Sequence, residues 1–359
     1  MEGKEITETR ISERERLLAA IEKGRRAKWW QRKGSRSRGF KYFDVAGKQI
    51  TNDDTLDRIK ALVIPPAWRF VRISPSPNSR VQAVGVDTTG RIQYKYHQKF
   101  ADRQQRKKFE KIERFGRVLP EFRKVTNDHL TLEGFPREKV LAIMMRLINS
   151  LYFRVGSEKS VKRYKTFGIT TLQNRHLTID RRGRLVFDFV GKSHIKHRKI
   201  LVDKELASIM KELKELGPAR KLFHYVADDG TLRSVKPSDV NNYIKSVASA
   251  EFSSKDFRTW AGSLLAAVEL AELGSAEDEK EMKRRLVQAV KVVAEHLGNT
   301  PAVCRGSYIH PKVIDAYSNG ITVAEFEPRR SRRIKLSQSE YEPGELALLS
   351  LLQHEKTKK

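Results

Sequence analysis

The chain is poor in several things, and each shortage excludes something. It has one cysteine, Cys304, in 359 residues. A single thiol can form neither an internal disulfide nor a thiolate cluster for zinc. Long hydrophobic runs are missing as well. The longest, such as VLAIMM at 140–145, fall far short of the ~20 apolar residues that span a bilayer. The N-terminal stretch MEGKEITETRISERERLL has no apolar core, so no secretory signal is expected. A reducing, soluble compartment follows: the cytoplasm, and in a bacterium the nucleoid. Acidic residues are also scarce. Against 72 Lys and Arg there are 44 Asp and Glu, for a net charge of +28.

Such a field attracts polyanions and releases their counterions on contact, so nucleic acid is the expected partner. Hydrophobic residues make up 39% of the chain, enough for a packed core, and the length suits two domains. No repeat at fixed period is visible.

Residues 1–40 read as a charged tail or arm. Within it, RRAKWWQRKGSRSRGFK at 25–41 fits either a basic DNA-grasping arm or a solvated linker. From residue 41 to about 105 the pattern becomes strand-like. RFVRIS, RVQAVGVD and RIQYKYH alternate apolar and polar residues, with turn chemistry in SPSPNS and DTTGR between them. A small antiparallel sheet domain is expected there. Residues 106–324 read as a mainly helical domain with one internal three-stranded sheet, and 325–359 as a C-terminal extension. The fold class is therefore α+β.

The helical domain carries a series of polar residues in telling places. After Pro136, Val140, Ile143, Met144, Leu147, Ile148 and Leu151 follow a helical stripe. Three residues on is Arg154, either at the end of a buried face or snorkelling to water past an early helix end. Strand-like runs at 167–172, 176–180 and 185–190 follow, with 199–202 as a possible continuation. Lys192 lies in the turn Gly191-Lys192-Ser193. A lysine on a hairpin tip is ordinarily solvated, yet it can also reach a bound nucleic acid. With neighbouring cations it can act as a general acid.

SSKDFRTWAGSLLAAVEL opens another helix, capped by Ser253 or Ser254, with Leu264, Leu265, Val268 and Ala271 as its apolar face. Lys255 and Arg258 sit in its first turn, where cations oppose the helix dipole unless an anion answers them. A long helix from Ser275, with Asp278 in a capping-box-like pair, ends at Gly298. Asn299 or Thr300 then caps a short helix with Pro301 at its first position, and Tyr308 closes it. Each feature alone is weak. As an ordered set, Arg154, Lys192, Arg258, Asn299 and Tyr308 suit phosphoryl transfer to a tyrosine. Two guanidiniums would offset charge on the non-bridging oxygens, and a lysine would protonate the leaving oxygen.

At these residues the chain resembles the type IB DNA topoisomerases of the small poxvirus-like and bacterial group. The matching motifs are LYFRVGSEKS, FVGKSHIKH, KDFRTWAG and LGNTPAVCRGSYIHP, with VIPPAWRFVRISPSP, GRIQYKYH and FGRVLPEFR in the first half. They run in order over about residues 40–312. The resemblance implies that Tyr308 attacks a phosphodiester of duplex DNA and is joined to the 3′ phosphate, that the free strand rotates, and that religation reverses the step. It implies Arg154 and Arg258 as phosphorane stabilisers, Lys192 as general acid, and Lys255 near the same phosphate. Gln93, Tyr94 and Tyr96 match the DNA-contacting strand, and two domains would clamp the duplex. Neither ATP, metal nor another cofactor is implied, and the enzyme would act as a monomer. Two positions depart from the pattern: Asn299 stands where viral members have histidine, and Val86 where arginine is common. The alternatives are a tyrosine site-specific recombinase and a non-catalytic basic DNA-binding protein. Recombinases typically carry His-x-x-Arg where this chain has Lys255-x-x-Arg258.

Overall fold

The computed structural model describes residues 12–217, 220–327, 341–342 and 344–354. Two compact units divide the chain, Met1–Lys108 and Phe109–Lys359.

The first unit contains α1 (Glu13–Ile21), β1 (Trp30–Ser35), β2 (Gly39–Phe43), α2 (Asp53–Ala61), β3 (Arg69–Ile73), β4 (Val81–Val86) and β5 (Ile92–Tyr96). The strands form one antiparallel sheet in the order β2-β1-β3-β4-β5. Side chains alternate across the sheet. Val71, Ile73 and Ala83 pack against Ile59 of α2, while Val84 and Val86 pack against Ile21 of α1. Val86, one of the two departures from the family pattern, is thus a core residue of β4.

The expected tail at 1–40 needs correcting. Residues 1–11 lie outside the described part, but 30–35 and 39–40 belong to the sheet. Among the basic residues that suggested an arm, Arg32 is tied into the sheet. Arg32 donates to the carbonyls of Ile64, Pro65 and Trp68 at 3.4, 3.1 and 2.7 Å, and lies 4.2 Å from the Phe40 ring centroid. A long guanidinium stem can occupy a half-buried strand position when its head finds acceptors.

The division between the units falls within α3 (Gln98–Leu130), the charged segment expected to be helical. Then come α4 (Arg137–Leu151), α5 (Glu158–Tyr164), β6 (Leu177–Ile179), β7 (Arg184–Val190), β8 (Lys196–Val202), α6 (Lys204–Glu215), β9 (His224–Val226), β10 (Leu232–Ser234) and α7 (Pro237–Val247). The central helix is α8 (Ser254–Leu273), followed by α9 (Glu279–Leu297), α10 (Pro301–Ser307), α11 (Pro311–Ser318) and α12 (Glu345–Gln353). The expected three-stranded sheet is present, in the order β6-β7-β8.

Several expectations shift. Residues 167–172 are not a strand. Two of their amides bond to the loop after α4 instead, Ile169 to Arg154 O at 2.8 Å and Thr170 to Val155 O at 3.0 Å, while the Phe167 amide bonds to Val190 O at 2.8 Å. The helix α9 starts at Glu279, where Asp278 accepts from the Glu281 amide at 2.7 Å, rather than at Ser275. In α8 the buried apolar side chains are Phe257, Trp260, Ala261, Ala266, Ala267 and Leu270, and Leu264, Leu265 and Ala271 are only partly covered. A helix packed on several sides has no single stripe to read.

The C-terminal extension is also less separate than expected. Residues Ala347, Leu348, Leu351 and Leu352 of α12 join the main core. Glu345, 1% exposed, accepts from Arg123 at 2.7 and 2.9 Å and from Trp260 Nε1 at 2.8 Å. The basic run at 328–335 lies outside the described residues. Among the described residues, no helix is long and apolar enough to cross a membrane.

Candidate active site

The site is organised by the end of α9. The last carbonyls of any α-helix have no partner within it, and the aligned peptides leave about half a negative charge there. In this chain three successive carbonyls each receive one cation. Lys199 Nζ donates to His296 O at 3.1 Å, Arg258 Nη2 to Leu297 O at 2.7 Å, and Arg154 Nη2 to Gly298 O at 2.7 Å. Arg154 also donates to Asn299 Oδ1 at 2.5 Å, and Arg258 Nη1 to Tyr152 O. All these acceptors are neutral. The cations are held by dipoles, and their charge is not cancelled.

Each cation arrives from a different element. The helix α4 stops at Leu151 because Tyr152 turns into the left-handed region, φ 57°. Arg154 therefore lies past the helix end, and its head turns inward to α9 instead of snorkelling out. Arg258 comes from the first turn of α8, where Ser253 N donates to Asp256 Oδ2 at 2.8 Å, and it is 4% exposed. Lys199 comes from β8.

Crowding of like charges shows in the titration behaviour. Burial, then the neighbouring Arg258, pulls Arg154 down to about 10. Burial lowers Arg258 too. Burial followed by Arg258 and Arg154 brings Lys199 to about 8. His197, on the same strand, falls to about 4 through burial and the charges of Lys199, Arg154 and Arg258, and so stays neutral.

Tyr308 ends α10, its amide bonded to Cys304 O at 2.9 Å. Its ring centroid lies 5.3 Å from the Arg258 guanidinium. The helix α8 holds this corner closely. Ser263 Oγ donates to Tyr308 O at 3.3 Å, and a Cβ on Gly262 would come within 2.7 Å of that oxygen. Cys304 is fully buried behind the tyrosine, and burial raises its thiol. Two buried donors here, Arg258 Nε and Asn299 Nδ2, have no close hydrogen-bond acceptor among the described residues, while the Arg258 side chain interacts with Tyr308 and that of Asn299 with the Cys304 thiol. A buried unpaired donor is costly, so both are suited to an arriving anion.

The remaining expected residues are placed differently. Lys192 is exposed on the tip of the β7–β8 hairpin, next to Ser193 and His194 in left-handed backbone at φ 63° and 58°. Lys255 is exposed in the first turn of α8. In the other unit, Tyr94 and Tyr96 are 40% and 46% exposed and stack with centroids 6.0 Å apart. Gln93 lies on the opposite face of β5 and donates to Asp87 Oδ2 at 2.9 Å.

Sequence reasoning missed Lys199 and His197. A signal was available: β8 begins at Lys196, and period two from there turns His197, Lys199 and Leu201 inward. The expected start at 199 hid it.

Comparison with known proteins identifies the family. Residues 97–334 match the family described as eukaryotic DNA topoisomerase I, catalytic core. Residues 39–87 match the bacterial DNA topoisomerase IB N-terminal domain. DNA topoisomerase 1B of Acanthamoeba polyphaga mimivirus is 29% identical over 287 residues, 78% of this chain and 84% of the relative. That of vaccinia virus (strain Copenhagen) is 21% identical over 240 residues, 66% of this chain and 72% of the relative. DNA topoisomerase 1 of Schizosaccharomyces pombe is 24% identical over 238 residues, 64% of this chain and 27% of the relative. With the family match spanning most of the second unit and the bacterial match lying within the first, the chain belongs to the type IB DNA topoisomerases.

Proposed function

We propose that this enzyme relaxes supercoiled duplex DNA by transient cleavage of one strand through Tyr308. Tyr308 Oη bonds to the scissile phosphorus, the bond from phosphorus to the 5′ oxygen breaks, and the phenolic proton leaves to solvent. The 3′ end is then a phosphotyrosine, and the freed 5′ hydroxyl end rotates before the reverse step reseals the strand. The phosphodiester is exchanged for another ester, so no ATP is required. Arg154 and Arg258 carry the charge that builds on the non-bridging oxygens, and no metal is required for it. Asn299 Nδ2 donates to one of these oxygens as a neutral group. Lys192 reaches the 5′ oxygen from the hairpin tip once DNA is bound and gives it a proton. Lys255 lies near the same phosphate, and Tyr94, Tyr96 and Gln93 contact the duplex through the sheet unit. The enzyme acts as a monomer in the compartment that holds the DNA.

The observation that carries this reading is the meeting of Arg154, Arg258 and Asn299 at the end of α9 beside Tyr308, with Arg258 Nε and Asn299 Nδ2 lacking a close hydrogen-bond acceptor among the described residues. The test is Tyr308→Phe. The variant should bind DNA like wild type, relax no plasmid and form no covalent adduct. A 3′-linked adduct from Tyr308→Phe would place the nucleophile elsewhere.

A further inference from the structure

Two arginines account for two of the three carbonyl contacts at the end of α9, and the third is unexplained. His296 O, Leu297 O and Gly298 O take Lys199, Arg258 and Arg154 in sequence order. A lysine that only capped the helix would serve equally well pointing into water. Lys199 instead points inward on a strand whose alternate residues, Lys196, Arg198 and Ile200, are exposed. It lies close enough to both arginines for their charges to act on it. Holding a third cation here is unfavourable unless it secures something.

We propose that Lys199 is a positioning residue for the cleavage reaction: through His296 O it fixes the last turn of α9, and so the carbonyls that aim Arg258 and Arg154 beside Tyr308. The inference rests on the proposed roles of those three residues. Release of the ammonium frees His296 O, and the adjoining carbonyls move with it. The arginines follow them, because Leu297 O anchors Arg258 and Gly298 O anchors Arg154. Misplacement of such groups by about 1 Å costs on the order of 100-fold in rate.

A pH dependence follows. The charged or titratable groups around Lys199 are Lys196, His197 and Arg198 on its own strand, Tyr152 and Arg154 after α4, Arg258 on α8, and Glu295 and His296 on α9. With a value of about 8, Lys199 loses its proton well below the ordinary lysine range. Cleavage by wild type should therefore fall as pH rises from about 7 to about 9.5, across this titration.

The experiment compares Lys199→Met and Lys199→Arg with wild type in single-turnover cleavage of a suicide DNA duplex, with affinity for the same duplex measured alongside. Lys199→Met keeps the stem and removes the charge. It should cleave about 10- to 100-fold more slowly while binding DNA within about threefold of wild type. Lys199→Arg should recover to within about threefold and lose the fall in rate above pH 8, because arginine stays charged. Wild-type cleavage by Lys199→Met, or equal slowing in both variants, would overturn the proposal. So would a loss in Lys199→Met that is matched by a loss of DNA affinity. If Lys199→Met does not fold, Lys199→Arg decides alone: a flat profile supports the inference and a wild-type profile overturns it. Tyr308→Phe, run in parallel, separates this from failure of the underlying reading, since an adduct from that variant would remove the tyrosine mechanism itself.

Discussion

Replacing Gly298 by alanine should damage fold and chemistry together, through two separable causes. Gly298 ends α9 at φ 57°, and its amide donates to Glu295 O at 3.1 Å. An L-residue in that conformation costs about 1–2 kcal/mol. The added Cβ would also lie 2.2 Å from His197 Cε1. His197 has little room to retreat, because it stacks on Phe189 at 5.0 Å and lies against Gly191. Overpacking of this kind costs about 1–3 kcal/mol. The sum is about 2–5 kcal/mol, which for a unit of this size lowers the melting midpoint by about 10 °C. Gly298 O anchors Arg154, so a displacement approaching 1 Å should slow cleavage about 100-fold, or about 2.7 kcal/mol of barrier. Calorimetry and single-turnover cleavage at saturating DNA would measure the two effects. Adding His197→Ala removes the clash and leaves the backbone strain. The double variant should therefore be more stable than the sum of the single changes predicts. A Gly298→Ala protein with wild-type midpoint and rate would refute the reasoning, and strict additivity in the cycle would refute the assigned clash.

Three further outcomes are expected. Lys192→Ala should slow cleavage of ordinary DNA far more than cleavage of DNA with sulfur as the 5′ bridging atom, since a thiolate leaves without a proton. Equal slowing on both substrates would remove Lys192 from the acid role. Asn299→His should keep activity within about tenfold, with any new pH dependence well below the ordinary histidine range, because burial and the charges of Lys199, Arg154 and Arg258 together already hold His197 near 4. A new transition close to pH 6.5 in its rate profile would show that burial and those charges do not act on position 299 as they do on His197. Glu345→Gln should destabilise the second unit by about 3 kcal/mol, the low end for breaking a buried pair, because one acceptor remains and Glu342 lies 3.5 Å from Arg123. An unchanged denaturant midpoint would show that α12 is not held by this pair.

Much of this protein was legible in the chain itself. Local rules sufficed for β3, β4 and β5, whose two-residue alternation sits between turn-forming segments, and for α4, whose stripe is buried as read. They also sufficed for the stop at Gly298 and the restart at Thr300 and Pro301, because caps depend on only a few neighbouring residues. The candidate residues Arg154, Arg258, Asn299 and Tyr308 could be named in advance because their chemistry belongs to their side chains.

Whatever depended on a distant partner could be settled only by the tertiary structure. Arg32 reads as a solvated charge, and β1 as part of an arm, until the carbonyls of residues 64–68 receive the guanidinium. The helix α12 looks like a loose extension until Glu345 meets Arg123 and Trp260, more than 80 residues away in sequence. Lys199 is one lysine among many until β8 and α9 bring it to His296 O. Hydrogen-bond acceptors on the backbone leave no mark in a sequence, since every residue has one. Which carbonyls are left unpaired, and which cations reach them, is decided only when the helix ends and the strands around it are packed in place.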